Sequence, residues 1–133
     1  MIKEYLTQLS QELKLKPTTV KTKEVGVFEF EVDPLTKVEL AEYELGITLK
    51  TELCETPTQD TGELYAKMMD ANVFGIGTFG SVLGMSEDNK FLLLTKYIDY
   101  QPTYQEFRDT FEDYVNAVKF WQEKAEPYQG PPS

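Results

Sequence analysis

The 133-residue chain has no histidine and a single cysteine. Without histidine there is no Ser–His or Cys–His pair to activate a nucleophile, and the commonest general base at neutral pH is missing. Cys54 closes no internal disulfide and has no histidine beside it to build a zinc site. A lone cysteine fits residence in a bacterial cytoplasm. Basic charge is scarce too: 13 Lys and Arg against 23 Asp and Glu leave a net charge of −10 and a pI near 4.5. Nucleic acid is thereby excluded as a direct ligand, because phosphate binding rests on clustered Lys and Arg. No apolar run approaches the ~18–20 residues of a membrane span, and the opening MIKEYLTQL lacks the apolar region of a signal peptide.

The surplus of carboxylates suits basic or amphipathic protein partners, and equally keeps a protein with exposed apolar patches dispersed. The carboxylates are scattered rather than set in apolar surroundings that would shift a pKa, so no paired-carboxylate catalysis is expected. Asp70, Glu87 and Asp88 lack the spacing of a calcium loop. The expectation is no enzyme, no metal and no cofactor.

Ile2, Tyr5, Leu6, Leu9 and Leu13 share one face of a helix over residues 2–14, which should end near Lys16-Pro17. Thr18 to Glu24 is polar and reads as a connection. From Val25 to Val32 the chain alternates, with Phe28, Phe30 and Val32 to one side and Val27, Glu29 and Glu31 to the other. Val38 and Leu40, then Leu45, Ile47, Leu49 and Leu53, continue the period of two. Three antiparallel strands in a meander follow, the second and third short. Glu29, Glu31, Glu39, Glu42, Glu44 and Glu52 predict a strongly acidic solvent face.

A central helix opens at Asp60-Thr61-Gly62-Glu63, where a capping side chain precedes an acidic first turn. Leu64, Met68 and Ala71 recur at helical spacing, and Tyr65, Met69 and Val73 form a second row beside them. That apolar surface is wider than one stripe against one sheet requires. It suits either a helix central to the core or one that packs on its own sheet and on another subunit.

Gly75-Ile76-Gly77-Thr78-Phe79-Gly80 then matches the GxGxxG phosphate fingerprint. A dinucleotide site needs a strand before the first glycine and a helix after the last, whereas here a helix precedes and a strand follows. A kinase loop requires lysine, HRD and DFG motifs that this chain lacks. The glycines therefore read as a helix-to-strand connection, and Val82–Met85 with Phe91–Leu94 around Ser86–Lys90 as a hairpin.

Thr103-Tyr104-Gln105-Glu106 has the form of a capping box, and Phe107, Phe111, Tyr114, Val118, Trp121 and Ala125 step along a long helix to Glu126. Residues 1–126 are expected to form one domain, and the proline-rich residues 127–133 a disordered tail. The class is α+β: an antiparallel twisted sheet packed with helices in the order α-β-β-β-α-β-β-α.

The helix LYAKMMDAN, the glycine-rich turn and the hairpin VLGMSEDNKFLLL resemble the central part of the small acidic type III secretion chaperones, the class I CesT/Tir-chaperone and YscB-like family, and the flanking elements follow the same order. The resemblance implies a non-enzymatic dimer that binds the N-terminal segment of a secreted effector or gatekeeper protein by strand addition, keeping it export-competent. Phe28, Phe30, Val38, Leu40, Ile47 and Leu49 are the candidates for partner binding, some of them necessarily core, since the pattern leaves open which strand face is groove and which is core. The subunit contact, with a second identical or different chaperone chain, falls at Tyr65, Met68, Met69, Val73 and Phe74. The short second and third strands and the proline-ended tail depart from the family pattern. An alternative is an acidic regulatory protein that binds a basic face of a larger machine such as RNA polymerase or the secretion apparatus.

Overall fold

A computed structural model describes residues 2–15, 19–58, 61–75, 78 and 80–128. Its elements are α1 (Ile2–Glu12), β1 (Val20–Glu24), β2 (Val27–Asp33), β3 (Thr36–Tyr43), β4 (Gly46–Glu55), α2 (Thr61–Phe74), β5 (Val82–Met85), β6 (Phe91–Ile98) and α3 (Tyr104–Ala125). The strands run β1-β2-β3-β4-β6-β5, an antiparallel sheet with β1 and β5 at its edges. The chain thus has one strand more than its sequence pattern predicts: Val20–Glu24, expected as a connection, pairs with β2 through Val20–Phe30, Lys21–Glu29 and Thr22–Phe28. Nor are the next strands short, since β3 spans eight residues and β4 ten.

Contacts cluster into two compact units, residues 1–51 with 97–112 and residues 52–96 with 113–133. In the first unit, Phe30 meets Phe111 edge to face at 5.2 Å, and Tyr5 lies 5.6 Å from Phe107. Ile2, Leu6, Val38, Leu40, Ile47 and Leu49 are fully buried there. Each such side chain contributes about 1.5–3 kcal/mol of burial free energy. Tyr5 keeps its hydroxyl satisfied by donating to the Pro102 carbonyl at 2.9 Å. Helix α1 stops at Glu12 rather than at the later proline. Leu15 N–H donates to Ser10 O and Lys14 N–H to Gln11 O, with Lys14 at φ 57° in the position glycine usually takes. Lys16 and Pro17, the predicted stop, lie outside the described residues.

The second unit centres on α2, the hairpin and the later turns of α3. Leu64, Met68 and Ala71 are the buried row of α2. Tyr114 is sealed in the core and donates to the Leu94 carbonyl at 2.7 Å. Gly75, at φ 73°, closes the end of α2 with its N–H on Ala71 O; Asp60, the predicted cap at the start, lies outside the described residues. The hairpin turn is held by Ser86, whose hydroxyl donates to Asp88 at 2.6 Å and accepts from Phe91 N–H. At the start of α3, in the first unit, the capping box forms as expected: Glu106 N–H donates to Thr103 Oγ1, and Thr103 N–H to Glu106 Oε1. Pro127 and Tyr128, expected in a disordered tail, are ordered instead: Glu126–Tyr128 makes a 3-10 turn that buries Tyr128. Residues 129–133 lie outside the described residues.

Candidate functional site

Two faces of unequal chemistry result from the alternation in the first unit. Phe28, Phe30, Val38, Leu40, Ile47 and Leu49 all point inward and are buried. The six residues expected to line a partner groove are therefore core in this chain, packed beneath α1 and the start of α3. Alternation shows which residues share a face, not which face the helices cover, and the phenylalanines went to the covered one.

The opposite face carries charge. Lys21 sits opposite Glu29, Glu29 opposite Glu39, and Glu39 opposite Lys50, so a row of four charges crosses β1 to β4. Lys23 Nζ lies 3.8 Å from Glu29 and 3.1 Å from Glu39, and Lys50 Nζ lies 3.4 Å from Glu39. Lysines thus interleave with the glutamates, and the face is mixed in sign where six glutamates alone predict it acidic. Burial pushes the Glu39 carboxyl up, but hydrogen bonds and charge from Lys23 and Lys50 outweigh it and hold the group below its ordinary 4.5. Asp88 is likewise held low, by the Ser86 hydroxyl and the Lys90 N–H. Both shifts run opposite to what a general acid near neutral pH needs.

Among the described residues the outer edge of β1 is open, because β2 is its one neighbour in the sheet. Its residues Lys21 to Glu24 are exposed. An edge of this kind presents a row of backbone donors and acceptors to an added strand.

In the second unit, the side of α2 that turns away from its core is apolar. Met69, Val73 and Phe74 are 67–74 % exposed, Tyr65 is half-buried, and Met68 is buried. Of the five residues expected at a subunit contact, three lie open on the surface and Met68 belongs to the core. Val82 and Met85 of β5, which sequence reasoning did not single out, are exposed as well. Asn72 fixes β5 beside α2: its amide donates to Leu83 O at 2.9 Å and accepts from Leu83 N–H at 2.8 Å. Tyr65 Oη reaches Met85 Sδ at 3.7 Å. The two elements thereby carry an exposed apolar α2–β5 ridge, Met69-Val73-Phe74 on the helix with Met85 beside Tyr65, and Val82 is exposed on the other face of β5. Val82 alternates with buried Leu83, a signal that could have marked it, whereas Met85 shares Leu83's face and is exposed at the end of the strand.

A cleft of about 280 Å³ in the same unit is lined by Lys67, Asp70, Ala71, Phe120, Trp121 and Lys124. It is smaller than the ~300–1,000 Å³ of ordinary ligand sites, and Lys67 is already bonded to Tyr128 Oη at 3.1 Å. Among the described residues no group of three or more Cys, Asp or Glu is placed to hold a metal ion. Among the described residues no helix is long and apolar enough to cross a membrane. Of the GxGxxG segment, Ile76, Gly77 and Phe79 lie outside the described residues.

The sequence profile of the family described as Tir chaperone protein (CesT) matches residues 4–122. The chain belongs to the CesT family. Solved structures agree with the fold this family implies. A chain of the ExsC-ExsE complex superposes with a TM-score of 0.69 at 15 % identity, covering 92 % of this chain and 91 % of that one. A chain of the HopA1-SchA chaperone-effector complex gives 0.68 at 16 % identity, over 92 % and 93 %. A chain of the heterodimeric ExoU-SpcU complex from the type III secretion system of Pseudomonas aeruginosa gives 0.69 at 13 % identity, over 96 % and 99 %. A Chlamydia pneumoniae protein is 32 % identical over 65 residues, so the match spans about half of each chain.

Proposed function

We propose that this CesT-family chain is a type III secretion chaperone without catalytic turnover, acting in the bacterial cytoplasm. It holds the N-terminal segment of a secreted effector or gatekeeper protein in an extended form and keeps it soluble for export. The observation that carries this reading is the open edge of β1 in a member of this family. An extended client segment adds there as a further strand, with main-chain hydrogen bonds supplying affinity and alternate side chains supplying selectivity. Strand addition is indifferent to most of the client's sequence, which suits a protein that must hold an unfolded chain.

The α2–β5 ridge is assigned to a second chaperone chain, identical or different. A row of Met, Val and Phe left open on one helix and one edge strand is the kind of surface that a monomer seldom leaves uncovered. Methionine adapts to an irregular partner surface.

Co-expression with N-terminal segments of secreted proteins from the same genome tests the reading. A segment that is insoluble alone should become soluble, stay protease-sensitive and co-elute with the chaperone. If every such segment precipitates as readily with the protein as without it, the chaperone reading fails.

A further inference from the structure

Three connections lie side by side at one end of the strands in the first unit. Val25-Gly26 joins β1 to β2, Glu44-Leu45 joins β3 to β4, and residues 99–103 lead from β6 into α3. Glu42 N–H donates to Gly26 O at 2.8 Å, which ties the first connection to the second. Gln101 Nε2 donates to Glu44 O at 3.0 Å, and the backbone of Gly46 lies directly against the Ile98 carbonyl, which ties the second to the third. Val25, Tyr43, Leu45, Tyr97 and Tyr100 project from this end with 47–100 % of their surface exposed. Glu24, Glu42, Glu44 and Asp99 stand among them, and residues 24–26, 42–46 and 97–101 contain no lysine or arginine.

Single apolar side chains on a surface need no explanation, but five gathered on three adjoining turns form a patch. Charge then selects what can cover it. Nucleic acid and anionic membrane surfaces are repelled by the four carboxylates. A wholly apolar segment would leave Glu24, Glu44 and Asp99 dry and without a counter-charge. Arginine and lysine meet both demands, because their stems lie along apolar surface, their cationic heads reach carboxylates, and guanidinium stacks on tyrosine faces.

We propose that this end of the first unit is a docking surface for a basic, amphipathic segment of a partner protein. Its cationic side chains lie over Tyr43, Tyr97 and Tyr100 and end on Glu44 and Asp99. This contact goes beyond the holding of a client, since it uses neither the outer edge of β1 nor the α2–β5 ridge.

Fluorescence anisotropy with a labelled synthetic peptide of alternating arginine and leucine tests the proposal, with an arginine–serine peptide as a control. Full-length protein is expected to bind the arginine–leucine peptide more tightly than the control. The paired reversal Glu44→Lys with Asp99→Lys, and separately Tyr43→Ser with Tyr97→Ser, should each weaken binding about ten-fold. All four side chains are exposed, so thermal melts should stay close to the parent. Glu112→Lys with Glu123→Lys makes the same change in net charge on exposed helix positions and should alter binding less than about two-fold. Equal weakening by the control pair, or full binding by the tyrosine pair, would mean that net charge alone draws the peptide, and the proposal falls. Client retention by the patch variants should be unchanged; its loss would make the patch part of the client site and equally overturn the proposal.

Discussion

Glu29 and Glu39 face each other directly across the β2–β3 ladder, a like-charge pair bridged by Lys23 at 3.8 and 3.1 Å. Like charges directly opposite on a sheet are unfavourable by themselves. The lysine on the edge strand therefore offsets a repulsion between β2 and β3.

This arrangement has a pH signature. The folded-state carboxyl of Glu39 is held below 4.5, so its contribution is present above that value and is lost as pH falls through the lower folded value. Stability should decline as pH falls below about 4.5 and through that lower folded value. Because the groups are partly exposed, Lys23→Ala should cost only about 0.2–1 kcal/mol at neutral pH, and it should flatten that part of the acid limb. Urea unfolding at neutral and acid pH measures both effects. An acid limb identical in the variant and the parent would remove Lys23 from this account.

The α2–β5 ridge makes a prediction that separates association from folding. Val73 and Phe74 are exposed, so Val73→Asp with Phe74→Asp should change the stability of the single chain by no more than about 0.5 kcal/mol while abolishing self-association or pairing with another chaperone. Met68→Asp, by contrast, buries a charge and should unfold the chain. Sedimentation velocity beside thermal melts tells the two apart. A double variant that keeps the parent's mass in solution would put the subunit contact elsewhere.

Successive amides along β1 point to opposite edges, so of Lys21→Pro and Thr22→Pro one deletes a donor to β2 and the other a donor on the open side. The first should lower stability. The second should melt close to the parent and lose its grip on a client segment. Full client retention by the stable variant would rule out strand addition at β1.

Gly46 packs against the Ile98 carbonyl so closely that a Cβ there would overlap it. Gly46→Ala should destabilise by about 1–3 kcal/mol through forced backbone movement, whereas Gly84→Ala, with open space around it, should cost far less. Chemical denaturation midpoints of the two variants give the comparison.

Much of this architecture is legible in the residues, and what is not legible has physical reasons. The capping box at Thr103, the aromatic steps of α3 and the Val82–Leu94 hairpin carry local signals strong enough to place them unaided. Strand β1 does not: VKTKE is polar on both faces because an edge strand over a solvated surface buries little, so no alternation marks it. The orientation of Phe28 and Phe30 was equally hidden, since period two assigns partners on a face while the helices above decide which face is covered. Tyr128 was assigned to a tail because proline precedes it, yet Lys67 of α2 holds its hydroxyl across 61 residues of chain, a tertiary contact with no local trace. In α2, by contrast, two apolar rows on one helix already announced more greasy surface than one core could absorb.

An edge that welcomes one stranger must still refuse its own twin. Strand β1 alternates Lys21 and Lys23 on its charged face, so two copies meeting side by side would bring four ammonium groups together, and such a sandwich has nothing to gain from growing into a fibril. A visitor with acidic side chains at every second position would find those same lysines hospitable. On the strand addition proposed above, charge would thereby favour a client over a second copy before any pocket has been filled.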